Sequence, residues 1–196
     1  LAAAYDLIVF PGHHEYVTTR EYDLIEGYRD LGGNLMFLSA NNFFWQVVRR
    51  GDTITKTKQW RDLGRPEATR LGVQYRGNDS GESRAPWTLT DAPASRWVFA
   101  GTGLRPGSAF SDDWGIEIDR TDSSSPAGVQ VLAEITDLYG PGFTAQMTYY
   151  ETSAGAKVFA AGAFSMASQI RRRQVAMVVA NLWRELSEPR LDRLPG

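Results

Sequence analysis

The only two histidines of the chain, His13 and His14, stand next to each other and next to Glu15. A neutral imidazole and a carboxylate can both ligate a transition metal, and either can act as a general base. From the spacing alone, an exposed polar turn accounts for the trio more readily than a site does. His-x-Glu also occurs in zinc deaminases, but that signature needs a Cys-x-x-Cys partner and the chain has no cysteine. Asn41 and Asn42 precede Phe43-Phe44-Trp45, which reads as the start of a short helix. Asparagine is a favoured N-cap, so a structural role is expected for at least one of the two, while an exposed amide could donate to a substrate carbonyl or a developing oxyanion. Ser39 lacks the glycine flanks of a nucleophile elbow, and Gly101-Thr-Gly103 is too short for a phosphate loop. Glu151, in Met147-Thr-Tyr-Tyr-Glu-Thr152, could by strand parity be an ordinary surface residue.

These residues need elements to hold them. Tyr5–Phe10 is a short apolar run closed by Pro11-Gly12, as expected of a buried strand. Thr18-Thr-Arg-Glu21 matches a capping box, and Tyr22, Ile25 and Tyr28 continue at helical spacing as far as Gly32-Gly33. Asn34–Leu38 supplies a second apolar strand, so Tyr5–Leu38 predicts a βαβ unit with parallel, adjacent strands. In such folds ligands bind outside the carboxyl ends of the strands, which singles out the loops Gly12–Tyr16 and Ser39–Asn42. From about residue 49 to 125 sustained periodicity is lost, and we expect an irregular insertion with a short helix near Pro66–Leu71 and short strands. Val129–Ile135, Thr144–Thr152 and Lys157–Ala161 read as strands, with a hairpin turn at Ser153-Ala-Gly155. Ser168–Ser187 reads as an amphipathic helix with Val175, Val178, Val179, Leu182, Trp183 and Leu186 on its sheet-facing stripe. Arg171–Arg173 at its start are expected to form a solvated face. The predicted class is α/β.

Composition narrows the functions. A chain of 196 residues with 42% hydrophobic content can bury a core as one domain. A net charge of −2 provides no broad cationic field, so nucleic acid is not an expected partner. Without cysteine there is no disulfide, thiolate zinc site or cysteine nucleophile. No run approaches the roughly 20 apolar residues of a membrane span, and the expectation is a soluble, cytoplasmic domain. The chain opens Leu1-Ala-Ala-Ala-Tyr5 without methionine, so a longer parent chain is expected, with further site residues upstream.

The runs Tyr5-Asp-Leu-Ile-Val-Phe-Pro-Gly-His-His-Glu-Tyr16 and Leu31-Gly-Gly-Asn-Leu-Met-Phe-Leu-Ser-Ala-Asn-Asn-Phe-Phe-Trp45 resemble the C-terminal domain of the N,N-dimethylformamidase large (beta) subunit family. Trp60-Arg-Asp-Leu-Gly-Arg-Pro66, Gly142-Phe-Thr-Ala-Gln-Met-Thr-Tyr-Tyr-Glu151 and Lys157-Val-Phe-Ala-Ala-Gly-Ala163 continue the resemblance through most of the chain. It implies a single domain over 1–196 with a fold like that of class I glutamine amidotransferases. That fold would be three-layered, with a mostly parallel central sheet flanked by helices. It further implies an amidase that cleaves the C–N bond of small N-substituted formamides, and a ferric iron held by two tyrosines and one glutamate. Glu15 matches that metal-binding glutamate, His13 a histidine close to the metal, Asn41 a substrate-orienting asparagine, and Glu151 a candidate general base. The family's metal-binding tyrosines belong to a part preceding this domain, so no tyrosine here is assigned as a ligand. His14 is left as a supporting or surface group. Expected partners are a small amide substrate and the upstream domain of the same polypeptide; a small subunit and self-association stay open. The competing reading is a non-catalytic amidotransferase-like domain that binds a small ligand, a carbohydrate or a partner subunit.

Overall fold

The computed structural model describes residues 4–164 and 166–189, and the Leu1–Ala3 opening lies outside them. Strand β1 (Leu7–Phe10) leads through the two-residue strand β2 (Tyr16–Val17) into helix α1 (Thr19–Asp30). Thr18 caps this helix in the manner the motif predicts, its hydroxyl oxygen accepting the Glu21 N–H at 3.2 Å. Tyr22, Ile25 and Tyr28 are the buried stripe of α1. Strand β3 (Asn34–Phe37) then pairs in parallel with β1, Leu7 opposite Asn34 and Phe10 opposite Phe37. The expected βαβ unit is therefore present.

Strands β4 (Trp45–Arg50) and β5 (Thr53–Gln59) form a hairpin that joins β2 in a separate three-stranded sheet. Phe43-Phe44-Trp45 accordingly does not start a helix. The Phe43 and Phe44 N–H groups donate to the carbonyls of His14 and Glu15, and Trp45 also donates to Glu15, which commits this segment to extended pairing. Next come helix α2 (Ala68–Leu71), strands β6 (Gln74–Asn78) and β7 (Arg84–Leu89), helix α3 (Ser95–Val98) and the twelve-residue strand β8 (Ala109–Arg120). Strands β9 (Gln130–Ile135), β10 (Ala145–Glu151), β11 (Lys157–Ala160) and β12 (Ala163–Phe164) precede helix α4 (Arg173–Leu186). Residues 49–125 thus hold the expected short helix, as α2, and strands that are longer and more regular than expected, β8 above all. What obscured them is the set of register shifts within the β6–β8 and β7–β8 pairings, which break the alternation that marks a strand.

The large sheet runs β1-β3-β11-β10-β9-β7-β8-β12, with β6 also on β8. Only β1–β3 and β3–β11 are parallel, whereas the other six pairings are antiparallel. The expectation of a mostly parallel sheet is corrected to a mixed, mainly antiparallel one. Parallel neighbours need a crossover of a dozen or more residues, and α2 and α3 have four residues each, so the chain between β4 and β11 returns by hairpins and loops. The α/β class holds.

Helices cover both faces at the parallel edge. Leu35 and Phe37 of β3 pack into a cluster with Tyr22, Ile25 and Tyr28 of α1, while Met36 and Leu38 pack into one with Val175, Val178, Leu182 and Leu186 of α4. The alternation is the period-two parity of a strand buried on both faces. Trp183, placed on the apolar stripe by its spacing, is 56% exposed instead. Arg171–Arg173 are exposed as expected, with Arg172 paired to Asp112 at 2.5 Å.

After β11 the chain turns sharply at Gly162 (φ 70°), whose carbonyl accepts the Asp119 N–H of β8 at 2.9 Å. A Cβ at this position would lie 1.9 Å from the Gln146 carbonyl oxygen. Gly162→Ala is therefore expected to destabilise the protein by more than about 2 kcal/mol, from the left-handed backbone and the overlap together. A urea titration would read this as a lower midpoint, and an unchanged midpoint would refute the constraint.

Candidate functional site

The carboxyl ends of β1 and β3 release the two loops that carry His13, Glu15 and Asn41. Asn42 ties these loops together. Its Oδ1 accepts the His14 N–H at 2.8 Å and its Nδ2 donates to the Ser39 carbonyl at 2.9 Å. Asn42 is the structural asparagine of the pair, although it bridges loops and caps no helix. His14 is also structural: its Nε2 lies 2.5 Å from the Glu21 carboxylate, and its ring packs near Phe10 and Phe43. Backbone shape in the second loop is unusual, with Asn41 at φ 53° and Phe43 at φ 60°. The left-handed region is tolerable for asparagine and costly for phenylalanine, so packing must hold the latter. Phe43 is 2% exposed, among Phe10, Tyr22 and Phe37.

Strand β8 brings two carboxyl groups to these loops. His13 Nδ1 lies 3.3 Å from Glu117 Oε2, and the His13 ring sits edge-on to Phe164 at 4.8 Å. The other Glu117 oxygen accepts from Asn78 Nδ2 at 2.9 Å. Asp119 is 1% exposed and accepts the Asn41 N–H at 2.9 Å. Ile118 between them is buried in the opposite direction, toward the α4 core. Just before Glu117, Ile116 adopts φ 69°, an outlier for a β-branched residue, at a point where β8 changes register against β12.

Electrostatics tie Glu15 to the same cluster. Burial, then the hydrogen bond and charge of Glu15, then the charge of Glu117, raise the Tyr16 phenol above its ordinary value. Burial and the charges of Glu117, Glu15 and Asp119 raise the Tyr75 phenol likewise, against the pull of Arg61. Burial pushes the Asp119 carboxyl up to about 8; the nearby Glu67 and Glu117 charges add to this, while the Asn41 N–H and Arg61 oppose it. Below the site, Arg61 holds the fully buried Glu67 with contacts of 2.5 and 3.2 Å and lies over the Phe44 ring.

Four of the residues discussed from the sequence, His13, Glu15, Asn41 and Asn42, therefore come together, and Glu151 does not join them. It accepts the Tyr149 hydroxyl at 2.6 Å and pairs in register with Lys157. Lys157 in turn bonds Asn34 at the amino end of β3, so Glu151 stands at the far end of the sheet, the length of β3 (about 10 Å) from the crevice. The carboxylate beside His13 is Glu117. The available signal was the alternation Ile116-Glu117-Ile118-Asp119, which puts two acids on one face of a strand, but it lay in the stretch read as irregular.

A family model described as N,N-dimethylformamidase beta subunit-like, C-terminal, matches residues 1–177. No curated protein matches the chain. No helix among the described residues is long and apolar enough to cross a membrane.

The buried Asp119 carboxyl predicts a pH dependence of stability. Folded, it keeps its proton up to about pH 8, whereas a free aspartate releases it near 3.8. Between those values unfolding releases a proton, so this group's contribution to stability falls as pH rises, by up to about 1.4 kcal/mol per pH unit, and levels off above the folded value. Chemical denaturation of wild type and Asp119→Asn across pH 4 to pH 9 should show the variant gaining relative stability through that window. A constant difference between the two proteins would refute the neutral, buried carboxyl.

Proposed function

The chain belongs to the N,N-dimethylformamidase beta subunit-like family, whose C-terminal part it matches over residues 1–177, and from that membership and the site geometry we propose that it is the amide-hydrolysing domain of a larger enzyme. Its substrates in this reading are small N-substituted formamides or related amides, and its closest partner is an upstream domain of the same polypeptide. We read residues 1–196 as one domain akin to the class I glutamine amidotransferases, a reading supported by the βαβ edge covered by helices on both faces and by the loops bearing His13, Glu15 and Asn41 at the strand carboxyl ends.

The observation that carries the proposal is the His13–Glu117 pair at 3.3 Å, with Glu117 on the same strand β8 whose Asp119 accepts the Asn41 N–H. A carboxylate on Nδ1 selects the tautomer with its proton there and leaves Nε2 free to take a proton from water. The hydroxide so formed adds to the amide carbon. In this reading Asn41 donates to the carbonyl oxygen as charge develops on it. His13 then returns its proton to the departing nitrogen as the C–N bond breaks, which yields the amine and the carboxylic acid. In this assignment His13, oriented by Glu117, is the base in place of the Glu151 that the resemblance offered, because Glu117 is the carboxylate within reach of His13.

A ferric iron would fit here in part. Glu15, Tyr16, Tyr75 and Glu117 form an oxygen-rich, negatively charged corner in which both phenols are raised, an environment that favours a cation. In this reading Glu15 would contribute one ligand, and the tyrosine ligands that the resemblance implies would come from the part preceding this domain. Bound there, the ion would supply Lewis-acid polarisation of the amide carbonyl.

The test uses the full-length protein, with iron measured by inductively coupled plasma mass spectrometry beside formamide hydrolysis. Glu117→Gln is expected to lower kcat by roughly 100- to 1,000-fold with the circular dichroism spectrum unchanged. Glu15→Gln should remove both metal and activity, and Glu151→Gln should stay within about twofold of wild type on the placement argued above. Full activity in Glu117→Gln would sink the base assignment. Neither metal nor hydrolysis in the wild type would favour a ligand-binding role.

A further inference from the structure

Asn41 has one hydrogen-bonding capacity left unmet, and its backbone is tied to Asp119. Asn41 is 3% exposed, and its Oδ1 is buried with no donor. An unpaired carbonyl in that position bears a desolvation cost that a donor would relieve. Asp119 already accepts the Asn41 N–H at 2.9 Å. Its carboxyl, pushed up to about 8 by burial, keeps a proton at neutral pH, and a buried O–H needs an acceptor as much as a buried carbonyl needs a donor. The backbone bond keeps the two residues together, and Asn41 holds a left-handed conformation that an isolated turn would not reliably keep.

We propose that Asp119 is a positioning residue for Asn41, accepting its N–H with one carboxyl oxygen and donating from the other to its orphaned Oδ1. Both ends of Asn41 are then fixed by a single buried acid. With Oδ1 engaged, the amide offers only its N–H2 end, a donor, so the crevice is set to receive an acceptor such as a carbonyl oxygen. The inference rests on the role of Asn41 proposed above, and it reaches beyond it by assigning the group that decides which end of that amide faces a ligand. A neutral acid also suits this task better than a carboxylate, which could only accept and would leave Oδ1 unpaired.

The test combines infrared spectroscopy and kinetics on the full-length protein. At pH 6 the carbonyl stretch of a protonated carboxyl should be present in the wild type, absent in Asp119→Asn, and shifted in Asn41→Leu, where its acceptor is gone. An amide can accept and donate through the same two positions, so Asp119→Asn should keep kcat within about threefold, while Asp119→Leu should lower it about 100-fold with a smaller change in KM. A wild-type spectrum without that band, a band unmoved in Asn41→Leu, or Asp119→Asn as impaired as Asp119→Leu would each overturn the proposal. Should Asp119→Leu fail to fold, Asp119→Asn and the band decide. Should the wild type hydrolyse no amide, the proposed function fails, and the band and its shift still decide the contact.

Discussion

The bond from the Asn41 N–H to the Asp119 carboxyl joins two halves of the sheet that the chain builds by different rules. On one side lies the parallel β1–β3–β11 edge, covered by α1 and α4. On the other lies the antiparallel region around β8. Their meeting is enforced at Gly162, where the chain leaves β11 and takes the Asp119 N–H before pairing as β12 with β8. Without that junction the loops after β1 and β3 would still sit at strand ends, but no carboxyl group would face them from across the crevice.

The junction puts acids where burial penalises them. Glu67, Glu117 and Asp119 are all under 10% exposed, and their charges reinforce one another at Asp119. Each is accommodated differently. Glu67 is met by Arg61, Glu117 by Asn78 and His13, and Asp119 by retaining its proton. Even the fork of Arg61 does not fully offset the desolvation of Glu67, whose carboxyl stays above its ordinary value. Such an arrangement is a poor investment in stability alone, and perturbed, clustered carboxyl groups at a strand-end crevice are the usual mark of a site. The raised phenols of Tyr16 and Tyr75 express the same negative field.

Three of the six non-glycine residues with left-handed backbone among the described residues fall in the same region. Asn41, Phe43 and Ile116 are non-glycine residues in the left-handed region, and all three lie within or next to the segments that bear Asn41 and Glu117. Phe43 is held by an aromatic cluster and Asn41 by Asp119, while Ile116 marks the register change that aims Glu117. The fold thus spends packing energy to fix a few side chains, which is characteristic of preorganised sites.

What was legible from the sequence was local. The βαβ unit followed from period-two and period-3.6 patterns and a capping box within Tyr5–Leu38, and those patterns place His13, Glu15 and Asn41 on neighbouring loops because short-range geometry leaves little choice. The antiparallel majority of the sheet was not legible, since bulged strands lose their alternation and nothing local says which strand pairs with which. Glu151 illustrates the limit: its strand was found, but which end of the sheet it occupies depends on its pairing with Lys157. Glu117 lies 104 residues from His13, and Asp119 lies 78 from Asn41. Contacts at such separations are decided by strand order and register, set when the whole sheet closes around its two cores, so the sequence determined which loops bear the histidine and the asparagine while only the tertiary structure decided which acids face them.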